Sequence, residues 1–458
     1  MEHRLSRRKL IGLASVALGG VFAASCGPKA TQAPTAAPGP ASTTAPAPTK
    51  AAAGEVKLLA AYWSPTPEFI AYREECARRM NEKFPGVQAS QVSIPPDQYG
   101  EKVLTMIAGG TPPDLLQLNF KWEPYFKAND ALMDLTPLID SDKEFNLAQL
   151  YKRLLELGLS NGKRYSIPKG WNPFVVYYNQ TKFREAGLAD IPRSWEDTTW
   201  TWQAFLDAAK KLTVDTNKDG KTDTYGLYFP YWYIFLHSNG GDVLSADQKK
   251  PTIDSPEALE AFQFVADLRL KHKVAPSPAD IAGQGNDQDL FVNGRVAMIM
   301  AGAWAISRFA KITNFQWEVG VLPRVPGKPP VSYTQYFGHG IPKGVKNTKM
   351  AWEYVKVVSD EESNIGAAKM GYDVPAMIKV AEGPHFGAAP TPPTRKVFLD
   401  AAQYIKVWPT VPPIREIIDG MLQPELDLAF TGDQTVKAAI DKALPKAKAR
   451  LDEYWAKK

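Results

Sequence analysis

The stretch EVKLLAAYWSPTPEFIAYREECARRMNEKFPGVQASQVSI, Glu55 to Ile94, decides the fold class. Its first nine residues are an apolar run of strand length, and VQASQVSI at its end is a second such run. Between them Phe69, Tyr72, Cys76, Met80 and Phe84 recur at helical spacing, which puts Cys76 on a buried helix face. Strand, helix, strand is followed by a helix over DQYGEKVLTMIAGG, closed by glycine, and a short strand in PPDLLQLNF. This rhythm predicts a parallel-containing sheet covered by helices, an α/β fold. Trp63 then stands at the carboxyl end of the first strand, where open α/β sheets bind ligands.

Working outward, a second cycle starts near Asn161. NGKRYSIP, FVVYYN, TYGLYF and RVAMIMAGAW read as strands, and TWQAFLDAAKKL as an amphipathic helix. SPEALEAFQFVADLRLKHK reads as a long helix with Ser255 as N-cap and Pro256 in its first turn. The chain from Pro424 onward is helical, and Asp114, after two prolines, reads as a structural cap. At 458 residues the chain is too long for one compact core, and two α/β units in series with a helical tail are expected. No complete phosphate-binding loop and no Gly-x-Ser-x-Gly elbow occurs.

Net charge is +5, with Lys and Arg interspersed among Asp and Glu, so no nucleic-acid partner is expected. The two cysteines, Cys26 and Cys76, fall on either side of the start of the folded part, so no internal disulfide is expected. The five histidines are scattered without metal-ligand spacing. Twelve tryptophans must pack in a core or face a ligand.

Residues 1–26 carry Arg4, Arg7, Arg8 and Lys9 before an apolar, small-residue run that is short for a membrane span. Ser6 to Leu10 resembles a twin-arginine export signal, and Ala24-Ser25-Cys26 resembles a lipobox, with Ala23 where leucine is usual. Lipidation of Cys26 is expected; the alternative is an ordinary signal peptide with an incidental cysteine. Residues 27–54 are Ala/Pro/Thr-rich without large apolar side chains, the composition of an extended tether. The folded part is thereby expected outside the cytoplasm, held to the outer face of a bacterial cell membrane.

Five segments in order resemble the extracellular solute-binding proteins of bacterial ABC importers, the group that includes maltose-binding protein. They are IAGGTPPDLLQL (107–118), NGKRYSIPKGWNPFVVYYNQTKFREAGL (161–188), PRSWEDTTWTWQAFLDAAKKLT (192–213), FVNGRVAMIMAGAWAI (291–306) and AWEYVKVVSDEES (351–363). The fourth is the most specific; residues after about 375 match little beyond being helical. The resemblance implies a two-lobed fold with three hinge crossings, the N-lobe at 55–158 plus 337–358 and the C-lobe at 159–336 plus 359–458. It also implies a monomer that closes its lobes on a carbohydrate and delivers it to permease subunits.

A sugar needs aromatic platforms for its C–H faces and polar groups for its hydroxyl rim. Trp63, Asn119, Lys121 and Trp122 follow strands of the first unit. Carried over by position, Tyr231, Trp232, Trp304, Tyr336, Tyr372 and Asp373 reach the cleft, with Trp171 and Trp408 further candidates; Trp304 is the foremost. Two rivals stand beside this reading. One is the same fold holding a glycerophosphodiester, polyamine or other polar solute. The other is a secreted carbohydrate hydrolase, which needs two suitably spaced carboxyls in the cleft.

DTNKDGKTDTYG, Asp215 to Gly226, has Asp215, Asn217, Asp219 and Asp223 at the first, third, fifth and ninth positions of an EF-hand-like loop. Lys221 would offer a backbone carbonyl, and Gly226 stands where the bidentate Glu belongs. A structural calcium ion is one expectation, an Asx-rich turn the other; no other cofactor is expected.

Overall fold

Strand β1 (Val56–Tyr62), helix α1 (Pro67–Lys83) and strand β2 (Val87–Ser93) form the expected unit, with β1 and β2 parallel from Val56↔Val87 to Tyr62↔Ser93. Helix α2 (Tyr99–Ala108) returns the chain to β3 (Leu115–Asn119), parallel on the other edge of β1. The computed structural model describes residues 55–63, 67–160, 162–229, 231–387, 392 and 394–457. The leader, the tether and Cys26 lie outside the described residues. Among the described residues no helix is long and apolar enough to cross a membrane.

The buried face of α1 holds Phe69, Cys76 and Met80 as the spacing predicts, and Arg73 with them. Asp114 is structural: its carboxylate accepts from the Leu59 N–H at 2.8 Å, and its own N–H donates to the Leu59 carbonyl at 2.6 Å.

The remaining strands are β4 (Leu159–Ser160), β5 (Lys163–Arg164), β6 (Ile167–Pro173), β7 (Val175–Asn179), β8 (Met298–Ala301), β9 (Trp317–Gly320), β10 (Ser332–Gly340), β11 (Val374–Pro375) and β12 (Ile405–Lys406). The larger sheet runs β11-β6-β10-β3-β1-β2, with β12 paired to the start of β10; the smaller runs β8-β7-β9. With their helices these sheets make two lobes. The smaller sheet is antiparallel throughout, so the second cycle is not another parallel βαβ array. TYGLYF is not a regular strand either; Tyr225 makes an isolated bridge to Val296.

The lobe boundaries differ from those expected at 158/159, 336/337 and 358/359. β6 is buried along its whole length and pairs antiparallel with β10, so the first lobe runs on to Pro173. The chain crosses at Phe174, whose N–H donates to the Tyr333 carbonyl at 2.9 Å, so the first two crossings lie side by side. Thr334 already faces Pro173 in this ladder, which moves the second crossing to the start of β10. The helix Glu361–Met370 packs on α1, where the Tyr72 hydroxyl donates to the Ser363 carbonyl at 2.9 Å and Arg79 pairs with Asp360. β11 then adds to β6. The third crossing therefore follows Pro375, later than expected, because apolar and ionic contacts with α1 hold this segment to the first lobe.

The C-terminal region closes the second lobe. Ser255 caps helix Pro256–Leu270 as expected, accepting from the Ala258 N–H at 3.2 Å. Helix Gln423–Thr431 joins the same lobe, Gln423 accepting from the Trp232 indole at 2.8 Å.

Candidate functional site

β3 and β10 are antiparallel neighbours, and strand alternation decides which side chains face the gap between the lobes. Gln117 and Asn119 on β3, with Gln335 and Phe337 on β10, point into a cavity of about 330 Å³. Leu118 and Tyr336, the residues between, point the other way and are buried. Trp63 enters from the end of β1, edge-on to Tyr99 at 5.2 Å and tilted against Phe337 at 6.1 Å. Phe69 and Arg73 come from α1, and Tyr372 and Asp373 from the turn before β11.

The other lobe supplies Gln288 and Trp304. Trp304 follows β8 where the chain turns at Gly302, and its indole lies directly on that glycine: a Cβ at 302 would stand 2.1 Å from Trp304 Cζ3. The Tyr177 hydroxyl donates to the Gly302 carbonyl at 2.7 Å and fixes the turn. Phe174, the crossing residue, meets the Trp304 ring edge-on at 5.2 Å. The specific Gly-x-Trp stretch thus folds a tryptophan back over its own glycine and presents it to the cavity.

The charged groups here are buried. Asp373 accepts from Asn172 Nδ2 at 2.5 Å and from Lys169 Nζ at 3.2 Å, with Lys169 and Asp373 only 6% and 3% exposed. The Arg73 guanidinium lies over the Tyr62 and Phe69 rings at 4.3 and 4.9 Å, and its Nη2 donates to Gln117 Oε1 at 3.2 Å. Burial draws Arg73 below its ordinary range, nearby tyrosines opposing that effect. Flat rings from both lobes, four side-chain amides and a buried cation can together hold a small polar solute by its faces and its rim.

Of the expected residues, Trp63, Asn119, Trp304, Tyr372 and Asp373 come together at this cavity. Asn119 also caps the next turn, its Oδ1 accepting from the Lys121 and Trp122 N–H groups at 3.0 and 2.9 Å. The others lie elsewhere. Lys121 pairs with Asp419 of the other lobe at 3.3 Å. Trp122 opens helix α3 (Trp122–Ala128) and is buried against Tyr99 and Phe126, because the cap turns the chain back onto the sheet. Trp171 and Tyr336 are direct partners in the β6–β10 ladder and share the face away from the cavity, where the Tyr336 hydroxyl donates to Glu123 at 3.1 Å. Trp232 and Trp408 pack on each other at 5.5 Å within a core that also holds Tyr233, His237 and Tyr333. Tyr231 shares the Phe174 ring with Trp304 without lining the cavity.

Phe69, Arg73, Gln117, Gln288, Gln335 and Phe337 line the cavity and were missed by sequence reasoning. Arg73 carried a signal, a charge four residues after Phe69 on the apolar face of α1. Gln335 and Phe337 follow by alternation once the wrong parity at Tyr336 is corrected.

In the Asp215–Gly226 loop the carboxylates are engaged with backbone. Asp215 accepts from the Gly220 N–H, Asp219 from the Lys221 N–H and Asp223 from the Thr216 N–H, at 2.8–2.9 Å. Asn217 accepts from the Asp219 N–H at 3.0 Å, and Lys221 is exposed. This is an Asx-rich turn, and among the described residues no three His, Cys, Asp or Glu side chains gather at metal-binding distance.

The family model for bacterial extracellular solute-binding proteins matches residues 58–365. A putative binding protein of Brucella abortus is 24% identical over 285 residues, 61% of this chain and 65% of that protein. The arabinooligosaccharide-binding protein of Halalkalibacterium halodurans is 24% identical over 252 residues, 54% of each. The match thus spans less than two thirds of these relatives' length. In three dimensions the chain is similar to an ABC substrate-binding protein of Listeria monocytogenes solved with cycloalternan. The TM-score is 0.77, with 26% identity over 88% of this chain and 99% of that one.

Proposed function

The chain belongs to the bacterial extracellular solute-binding protein family, and from that premise we propose that it captures a carbohydrate between its lobes and delivers it to an ABC importer. The observation that carries this is the cavity's composition: Trp63 and Trp304 reach it from opposite lobes, with Gln117, Asn119, Gln288 and Gln335 around them. Its volume, about 330 Å³, is at the small end of ligand sites, which suits one or two sugar rings. The similarity to an arabinooligosaccharide-binding protein and to a cycloalternan complex supports the same solute class. Lipidation at Cys26, export through the twin-arginine route, a monomeric state and hand-over to permease subunits complete the proposal.

The reading includes no catalytic step. Asp373 is the only carboxylate among the described lining residues and is engaged by Lys169, so a pair of carboxyls for glycoside hydrolysis is not at hand. A structural calcium ion in the Asp215 loop remains part of the proposal only as an exchange of those carboxylates from backbone to metal. A calcium-dependent rise in melting temperature would test it.

A second reading, an anionic polyol such as a glycerophosphodiester, is favoured by Arg73 at the cavity wall. One experiment separates the readings: thermal shift of the protein against mono- and oligosaccharides, polyamines and glycerophosphodiesters. A ligand that binds only the folded state raises the melting temperature. Stabilisation by a sugar, lost in Trp304→Ala, is expected. Stabilisation by a phosphodiester alone would replace the first reading with the second.

A further inference from the structure

Two side-chain amides of the cavity are oriented by the chemistry of their partners. Gln117 Oε1 accepts from Arg73 Nη2 at 3.2 Å, and an arginine only donates, so the end of the Gln117 amide left for a ligand is the Nε2 donor. Asn119 Oδ1 accepts from the Lys121 and Trp122 N–H groups at 3.0 and 2.9 Å, which leaves its Nδ2 donor in the same way. One position separates the two residues on β3, so alternation sets both side chains on the face toward the cavity. Among the described residues neither nitrogen bonds an acceptor. We propose that this wall receives a carboxylate, and that the solute is an acidic sugar, a uronic acid or a short chain ending in one. The inference rests on the carbohydrate reading and deepens it by naming the class of sugar.

The charge of the wall is the second argument. Among the described lining residues the charged ones are Arg73 and Asp373. Asp373 accepts from Lys169 Nζ at 3.2 Å and from Asn172 Nδ2 at 2.5 Å, so its carboxylate is already engaged behind the cavity. Two buried cations, Arg73 and Lys169, thus stand with one carboxylate. Buried charge is costly unless it is countered, and a ligand carboxylate beside Arg73 evens the count. A hydroxyl at this wall would bring a proton for which the oriented side chains offer no acceptor. A carboxylate only accepts, and its two oxygens suit a row of donors. Hydrogen bonds to an ionised partner are also roughly twice as strong as neutral ones. A polyamine carries donors alone and is disfavoured at the same place.

The aromatic surroundings separate a uronate from a phosphate. Phe337 is the direct ladder partner of Asn119 and faces the cavity with it, and Trp63 lies against Phe337 at 6.1 Å. The donors therefore stand at the edge of an aromatic surface. A ring with an apolar C–H face and an exocyclic carboxylate matches that layout, and a phosphodiester without a ring leaves the platforms unused.

The test is calorimetric titration of the unsubstituted protein, Asn119→Asp and Gln117→Glu. The probes are matched pairs: galactose with galacturonate, glucose with glucuronate and mannose with mannuronate, together with glycerophosphocholine. The expected result is that one uronate binds about tenfold or more tighter than its neutral partner, the worth of a charge-assisted hydrogen bond. Both variants keep the shape of the side chain and the oxygen that Arg73 or the two N–H groups require, but turn the donor into a carboxylate. Each should reverse the preference, the neutral sugar then binding tighter than the uronate. Melting temperatures of the free variants close to the parent's report that they fold. A neutral sugar that equals or exceeds its uronate in every pair, or a preference that survives both substitutions, would overturn the acidic-sugar inference alone. Binding of glycerophosphocholine without any sugar, or no binding at all, would overturn the carbohydrate reading and this inference with it.

Discussion

Replacing Gly302 by alanine tests how the site is built, because the change adds one methyl group and touches no proposed ligand contact. The backbone at 302 has φ −87° and ψ −171°, which alanine adopts freely, so the effect is steric. The added Cβ would stand 2.1 Å from Trp304 Cζ3, 2.5 Å from its Cε3 and 2.9 Å from Asn172 Cβ. Contacts this short force something to move. Asn172 is fully buried and bonded to Asp373, whereas Trp304 is half-buried with the cavity beside it. The indole therefore swings into the cavity and leaves its edge-on contact with Phe174. That contact is worth about 0.5–1.5 kcal/mol and local overpacking costs about 1–3 kcal/mol, so a loss of about 1–3 kcal/mol in unfolding free energy is expected. Binding should suffer more, since the ring stops being a platform and occupies ligand space. A drop in affinity of about tenfold or more, at least ~1.4 kcal/mol, is expected by calorimetric titration. The decisive comparison is a double-mutant cycle: in a Trp304→Ala background, Gly302→Ala should cost almost nothing further in binding. Parent-like affinity for Gly302→Ala, or an equal loss in both backgrounds, would refute the placement of Trp304 on Gly302.

Lys169→Met leaves the Asp373 carboxylate buried without its cation and should lower stability by about 3–5 kcal/mol in denaturant titration; a change below ~1 kcal/mol would refute the buried pair. His237 is buried, and desolvation holds its imidazole down at about 4. Folding therefore favours the neutral ring: its contribution is complete above the ordinary value of about 6.5 and falls away as pH drops toward 4, by about 3 kcal/mol in all. Urea midpoints from pH 7.5 to 4.5 should fall more steeply for the parent than for His237→Gln, and identical slopes would count against it. Asp419→Asn opens the exposed Lys121 pair and should change stability by less than about 1 kcal/mol, with a reduced salt dependence. Cys26→Ser should release the protein from the membrane fraction with ligand binding intact, while Arg7→Lys with Arg8→Lys should retain folded protein in the cytoplasm; fractionation and immunoblotting check both.

Local periodicity was enough for the α/β class, the buried face of α1, the helix caps and the family resemblance, because each depends on residues a few positions apart. Strand-end position pointed to Trp63 and the family resemblance to Trp304, and both line the cavity, whereas Trp122, which also follows a strand, is buried. Which aromatic faces solvent and which is core was decided in three dimensions. Trp171, Trp232 and Trp408 stand in stretches as aromatic as those of the cavity, and their burial comes from partners tens to hundreds of residues away. One residue of strand parity moved the site from Tyr336 to Gln335 and Phe337, and parity is set by the register of β10 against β3 and β6. The crossing points obey the same rule. β6 joins the first lobe because β10, some 160 residues later, supplies the hydrogen bonds its buried backbone requires, and no local pattern in residues 159–173 carries that information.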